Sequence, residues 1–213
     1  MRAVGLSGAL FSTVQQRVLA LIFGHPERSF YTSEIVRHVH SGTGAVEREL
    51  ARLEHSGLVA VQWIGNQKHY RANRESPIYD ELHGIVLKTV GLTEPLRQSL
   101  APYADKIKAA FVYGSVAKGS DTARSDVDLM VIGTDLTYTD LYEGLQKAEG
   151  ILRRPVHPTF LSFEDWRRKV SIKDSVIAKI DVQPKLFVLG TEADLKNAEK
   201  RTRKFRQDRP AQA

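Results

Sequence analysis

The chain reads as a mixed α+β or α/β protein made of two units. Three observations predict this. Residues 14–72 spell helix, helix, turn, helix and then two β-rich runs around a short turn. Residues 107–189 alternate apolar runs with stretches of helical periodicity, the pattern of a sheet with helices packed on it. Between them Pro77, Gly91, Pro95 and Pro102 punctuate the chain. We therefore expect a first unit over 1–76, a connecting helix over 77–92, a second unit over 93–195 and a basic tail over 196–213.

In the first unit, "TVQQRVLALIF" places Val14, Val18, Leu21 and Ile22 on one helical stripe. "TSEIVRHVH" predicts a second helix with Thr32 or Ser33 as its cap. Gly42 and Gly44 mark a turn, and a third helix is expected from Thr43 to His55. Val46, Leu50 and Leu53 line its apolar side, Glu47, Arg48 and Arg52 the other, and Gly57 ends it. "LVAVQWI" and "KHYRAN" then read as strands, with "GNQ" between them as a hairpin turn. This order is that of a winged helix-turn-helix.

"ERELARLEHSGLV" followed by "GNQKHYRAN" resembles the winged-helix domains of arsenic-repressor-type and multiple-antibiotic-resistance-type regulators over residues 12–74. The resemblance implies transcription regulation by binding double-stranded DNA. The helix from Thr43 would enter the major groove, with Thr43, Gly44, Glu47, Arg48 and Arg52 at base edges or phosphates. The wing, Asn66, Gln67, Lys68 and His69, would contact the backbone or the minor groove. Residues 1–76 carry nine Lys or Arg against six acids, a modest excess. Glu47 would repel phosphate unless it accepts from a cytosine amino group, and such units also serve in protein interaction.

In the connecting segment Ile78, Leu82, Ile85 and Val86 form an apolar stripe that suggests a homodimer element. "TEPLRQSLAPYADKI" opens the second unit as a helix with Thr93 as its cap. "AAFVY" and "DVDLMVIG" are buried strands. "YTDLYEGLQKAEGIL" is a helix with Leu141, Leu145 and Ala148 inward. "PVHPTFLS" is a third strand, "FEDWRRKV" and "DSVIAKI" are helices, and "KLFVL" is a last strand.

Between the first two strands runs "GSVAKGSDTARSDVD". Residues two apart on a strand share a face, so Asp126 and Asp128 project together and repel. A divalent cation relieves that repulsion, and Mg²⁺ is content with one or two carboxylates plus waters and substrate phosphates. Gly114 and Ser115 form a turn where the backbone and a hydroxyl can hold phosphate oxygens. A phosphate cradle beside a metal clamp suits phosphoryl or nucleotidyl transfer from a metal-bound triphosphate.

Ten residues separate "GS" from "DVD". That spacing resembles the signature of the DNA polymerase β-like nucleotidyltransferase superfamily, and "VYGSVAKGSDTARSDVDLMV" its minimal and kanamycin-type branch. The resemblance implies a mixed sheet with flanking helices and a nucleotide at Gly114 and Ser115. Lys118 and Ser120 would reach phosphates. Asp126 and Asp128 would be catalytic, binding Mg²⁺ or Mn²⁺. Active relatives usually carry a third carboxylate on a following strand, where His157 stands here. Glu164 and Asp165 are the next acids in sequence and are expected on the following helix.

Composition bounds the rest. The 213 residues are 42% hydrophobic and 26% charged, with no cysteine, which excludes thiolate chemistry. No apolar run is long enough to span a bilayer, and the amino terminus is too interrupted for a clear signal segment. The chain reads as cytoplasmic with no membrane partner. The net charge is +6, of which the stretch from Lys196 to Arg209 carries +5, so a basic tail could touch phosphates or simply be solvated. Three functions follow as expectations: a nucleotidyltransferase with a DNA-binding module, a nucleotide-sensing regulator without turnover, or an antitoxin-like protein that neutralises a small helical toxin.

Overall fold

The computed structural model describes residues 4–196. Nearly all of the expected basic tail lies outside the described residues. After a short helix α1 (Leu6–Leu10), the first core is built by α2 (Thr13–Gly24), α3 (Thr32–Val39) and α4 (Thr43–His55). Three strands complete it: β1 (Phe30–Tyr31), β2 (Val59–Ile64) and β3 (Gln67–Ala72), in antiparallel order β1-β3-β2. Gln15 reaches back to the Ser12 N–H at 2.9 Å and fixes the start of α2. Val18, Ile22, Ile35, Val46, Leu50 and Leu53 are sealed from solvent together, each contributing about 1.5–3 kcal/mol of transfer free energy. Gly57, at φ +69°, turns the chain out of α4 as expected.

Two expected caps are corrected. The residue before α3 is Tyr31, not Thr32 or Ser33, because Tyr31 is held extended by pairing with His69 and the helix starts directly after it. Likewise Thr93 is the first residue of α6 (Thr93–Leu100), since Leu92 before it is already in the helical region. The hairpin loop is only Gly65 and Asn66, with Ile64 paired to Gln67, so Gln67 belongs to the strand.

The connecting helix α5 (Tyr79–Lys88) joins the first core. Tyr79 stacks between Phe23 and His83, and the His83 ring nitrogen meets the Phe23 carbonyl at 2.9 Å. Val86 is fully buried there and Leu82 packs against it. The expected dimer stripe is thus divided: its Leu82 and Val86 half is consumed within the chain, while Ile78 and Ile85 stay exposed.

The second core is a mixed four-stranded sheet, ordered β6-β5-β4-β7. Its strands are β4 (Ile107–Tyr113), β5 (Val127–Gly133), β6 (Val156–Leu161) and β7 (Leu186–Leu189). β4 runs antiparallel to β5 and β7, while β5 and β6 are parallel and joined by α8 (Tyr138–Leu152). Alternation along the strands separates two layers. Ala110, Val112, Leu129 and Val131 face α6 and α8, through Leu96, Leu100, Leu141 and Leu145. Ala109, Phe111, Met130 and Ile132 face Trp166, Ile180 and Leu195 of α9 (Phe163–Ser171), α10 (Val176–Asp181) and α11 (Glu192–Lys196). No helix among the described residues is long and apolar enough to cross a membrane.

Candidate nucleotide-transfer site

β4 ends at Tyr113 and the chain turns at once into a single helical turn, α7 (Gly114–Ala117). Gly114 has φ +74°, and a Cβ built on it would run into the Asp128 carboxylate. Glycine is required twice over, for a left-handed backbone and for this close approach. Gly119, at φ +65°, reverses the chain again, and the Ser120 N–H closes the loop by donating to the Ser115 carbonyl at 3.0 Å. The Ser120 hydroxyl approaches the same carbonyl at 3.4 Å. Gly114, Ser115 and Ser120 are therefore one compact turn. Lys118 projects from its outer end, exposed and with no ion-pair partner among the described residues.

Asp126 lies one residue before β5, not within it: pairing with β6 begins at Val127, whose N–H donates to the Pro155 carbonyl at 2.9 Å. The two aspartates nevertheless share an end of the sheet. Asp128 sits opposite Tyr113 on one side and His157 on the other. His157 Nε2 lies 3.3 Å from Asp126 Oδ2, both largely exposed. Partial burial pushes the Asp128 carboxyl above the usual carboxylate range; the neighbouring His157 pulls it down, and the Asp126 charge pushes it up again. Two carboxylates and one imidazole thus meet where the Gly114 turn crosses the strand ends. Behind them the Tyr113 hydroxyl is 3.4 Å from that of Thr159.

The other acids are elsewhere. Glu164 and Asp165 both lie in the first turn of α9. Asp165 accepts from the Ser162 hydroxyl at 3.0 Å on one oxygen and pairs with Arg168 through the other. Among the described residues no three His, Asp or Glu side chains form a ready-made metal cage. The donor set is two carboxylates with an imidazole beside them. It fits a hard divalent cation that keeps waters and substrate oxygens in its shell. Partial burial first, and the Asp126 charge to a lesser degree, disfavour the ionised Asp128 carboxyl, and a bound cation would offset both.

Sequence reasoning missed a buried ion pair at this end of the sheet. Arg154 Nη1 donates to Asp121 Oδ2 at 2.9 Å, and each side chain is only 8% exposed. Asp121 stood in the quoted stretch, but nothing local tied it to a residue 33 positions on.

In the first unit, Thr43, Gly44, Glu47, Arg48 and Arg52 all lie on the exposed side of α4. Arg52 is engaged with Glu49, and Lys68 with Glu54 at 2.5 Å, so each would exchange that carboxylate for a phosphate on binding DNA. A groove of about 470 Å³ runs between α3, the start of α4 and the hairpin; Thr43, Glu47, Asn66, Gln67 and Lys68 line it with Trp63. His69 instead turns toward Tyr31, ring centres 5.8 Å apart.

The second core is thus a four-stranded mixed sheet with the Gly114–Ser115 turn and the two aspartates at one end of its strands. Residues 94–183 match the family described as Polymerase beta, Nucleotidyltransferase. No curated protein matches the chain. Among solved structures, a toxin–antitoxin crystal structure with AMP-PNP is similar at 21% identity and TM-score 0.36, covering 49% of this chain and 77% of that one. A mutant of the toxin–antitoxin MntA-HpeT is similar at 18% identity and TM-score 0.35, with the same coverage.

Proposed function

We propose that the chain binds a metal–nucleoside triphosphate at the Gly114 turn and transfers its nucleoside monophosphate to a hydroxyl. The observation that carries this is the convergence of Gly114, Asp126 and Asp128 at one end of the sheet. Asp126 and Asp128 would hold Mg²⁺ or Mn²⁺, which would supply charge neutralisation for the triphosphate and its leaving pyrophosphate. The Gly114 backbone, Ser115, Lys118 and Ser120 would bind phosphate oxygens and orient the α-phosphorus for in-line attack. His157, beside Asp126, is the base-capable group nearest the pair. Incubating the protein with α-labelled triphosphates and Mg²⁺ tests this. The α-label should move to an acceptor hydroxyl, or to water as the free monophosphate, while unlabelled pyrophosphate leaves, and Asp126→Asn should abolish both.

His157 favours a second reading. An imidazole stands where the resemblance implies a third carboxylate, and on this reading the site holds nucleotide but turns it over slowly, as a sensor. Label transfer absent from the wild type, with Mg²⁺-dependent binding intact, would select it.

We further propose that the first unit is a winged helix-turn-helix that binds double-stranded DNA and serves transcription regulation. Three helices followed by a two-residue hairpin support this, with α4 exposing Thr43, Gly44, Glu47 and Arg48 beside the groove that Asn66 and Gln67 line. In such an assembly Ile78 and Ile85 are the residues left to a second copy of the chain.

A further inference from the structure

The short amino-terminal arm does more than lead into α2. Gly5 is buried against the far end of the nucleotide turn, and its N–H donates to the Gly119 carbonyl at 2.8 Å. A Cβ at Gly5 would stand 2.6 Å from both that carbonyl oxygen and Asp121 Oδ1. No side chain fits there, so the arm lies flat on the loop. The other Asp121 oxygen accepts from Arg154 at 2.9 Å, and Arg154 leads directly into β6 and His157. Arg154 Nη2 is buried with no acceptor among the described residues, so Asp121 is the partner that holds this guanidinium. The arm continues through α1 and the Ser12–Gln15 cap into α2, the central helix of the first core.

These contacts enclose one object. The loop from Gly114 to Asp121 is closed inside by Ser120 on Ser115, pinned outside by Gly5 on Gly119, and tied to the base of β6 by Asp121 on Arg154. Loops exposed on one side open readily unless such ties hold them.

We infer that the Val4–Leu10 arm and the Asp121–Arg154 pair are positioning elements: together they strut the nucleotide turn against the first core and hold Ser115, Lys118 and Ser120 ready for phosphate. The inference rests on the nucleotide reading above for its consequence, but the strut itself is a separate claim. It makes the first unit a contributor to triphosphate affinity, through backbone order and not through contact with the ligand.

Hydrogen exchange on the full chain tests it. In Gly5→Val the added side chain cannot share space with Gly119 and Asp121, so the arm must lift. Exchange at the Gly119 and Ser120 amides should accelerate at least tenfold, while β4 and β5 amides keep their protection and so report an intact fold. Asp121→Asn, which keeps the shape but removes the charge facing Arg154, should loosen the same amides. Calorimetric affinity for Mg-ATP should fall at least fivefold in Gly5→Val. Unchanged Ser120 exchange in both variants overturns the strut. Unchanged Mg-ATP affinity in Gly5→Val, where Asp126→Asn abolishes binding, overturns its positioning role and leaves the nucleotide reading standing. A wild type that binds no Mg-ATP overturns the nucleotide reading, and the exchange rates alone then decide whether the arm holds the turn.

Discussion

Replacing Gly114 by alanine separates folding from binding at the site. The residue has φ +74°, where a side chain costs about 1–2 kcal/mol. For a chain of this size that is roughly 2–4 °C of melting temperature per kcal/mol, so a drop of about 2–8 °C. The new Cβ would also meet the Asp128 carboxylate, the far end of a side chain that can rotate. The fold therefore survives by swinging Asp128 away, which removes it from Asp126 and from the turn. Scanning fluorimetry in EDTA and in Mg²⁺ with ATP reads both effects. At a hundredfold excess over the dissociation constant, ligand should stabilise the wild type by ~2.7 kcal/mol. Gly114→Ala should lose most of that gain on top of its modest loss in EDTA. An alanine variant that melts lower but gains as much from Mg-ATP as the wild type would refute the reasoning, because Asp128 could then not be part of the binding site.

Other predictions follow from the same cluster and from the first unit. The raised Asp128 carboxyl means the folded protein holds that proton more tightly than the unfolded chain, so the group's stability cost is fully present above its folded pKa and is relieved as pH falls toward the ordinary carboxylate value near about 4. Asp128→Asn in EDTA should accordingly melt higher than the wild type at neutral pH, with the difference closing as the pH is lowered through that window. His157→Asp should add an oxygen ligand beside Asp126, raising metal-dependent transfer or hydrolysis of labelled triphosphate; an unchanged rate would show that position 157 does not limit the chemistry. Arg48→Ala with Lys68→Ala should weaken duplex DNA binding and flatten its salt dependence in a gel-shift titration, and a complex indifferent to both changes would remove α4 and the wing from the interface.

The parts of this architecture that were legible in the sequence are those decided locally. The helix α8 begins where Thr137 and Asp140 cap each other, and a threonine three residues before an acid is visible in the chain. β4 and β5 are nearly continuous apolar runs because helices cover both faces. The resemblance alone suggested His157 for the third-carboxylate position; its pairing opposite Asp128, each the second residue of its strand, is set by the β5–β6 register and is not visible in the sequence. What escaped was set by partners distant in sequence. Asp126 falls outside β5 because Pro155 fixes where pairing can start. The caps of α3 and α6 were misplaced because β1 pairing and the backbone at Leu92, not side-chain chemistry, begin those helices. Gly5 against Gly119, and Asp121 against Arg154, join segments that no periodicity connects.

Calorimetric titration of ATP into the full chain tests the central claim most directly, run with Mg²⁺, with EDTA, and with Asp126→Asn and Asp128→Asn. If the two aspartates and the Gly114 turn hold a metal–triphosphate, the wild type binds in Mg²⁺ with one site per chain. Affinity then falls at least tenfold in EDTA and in each variant. Binding of equal strength in all four titrations would contradict the account, since ATP would then be held somewhere other than the end of the sheet where Gly114, Asp126 and Asp128 meet.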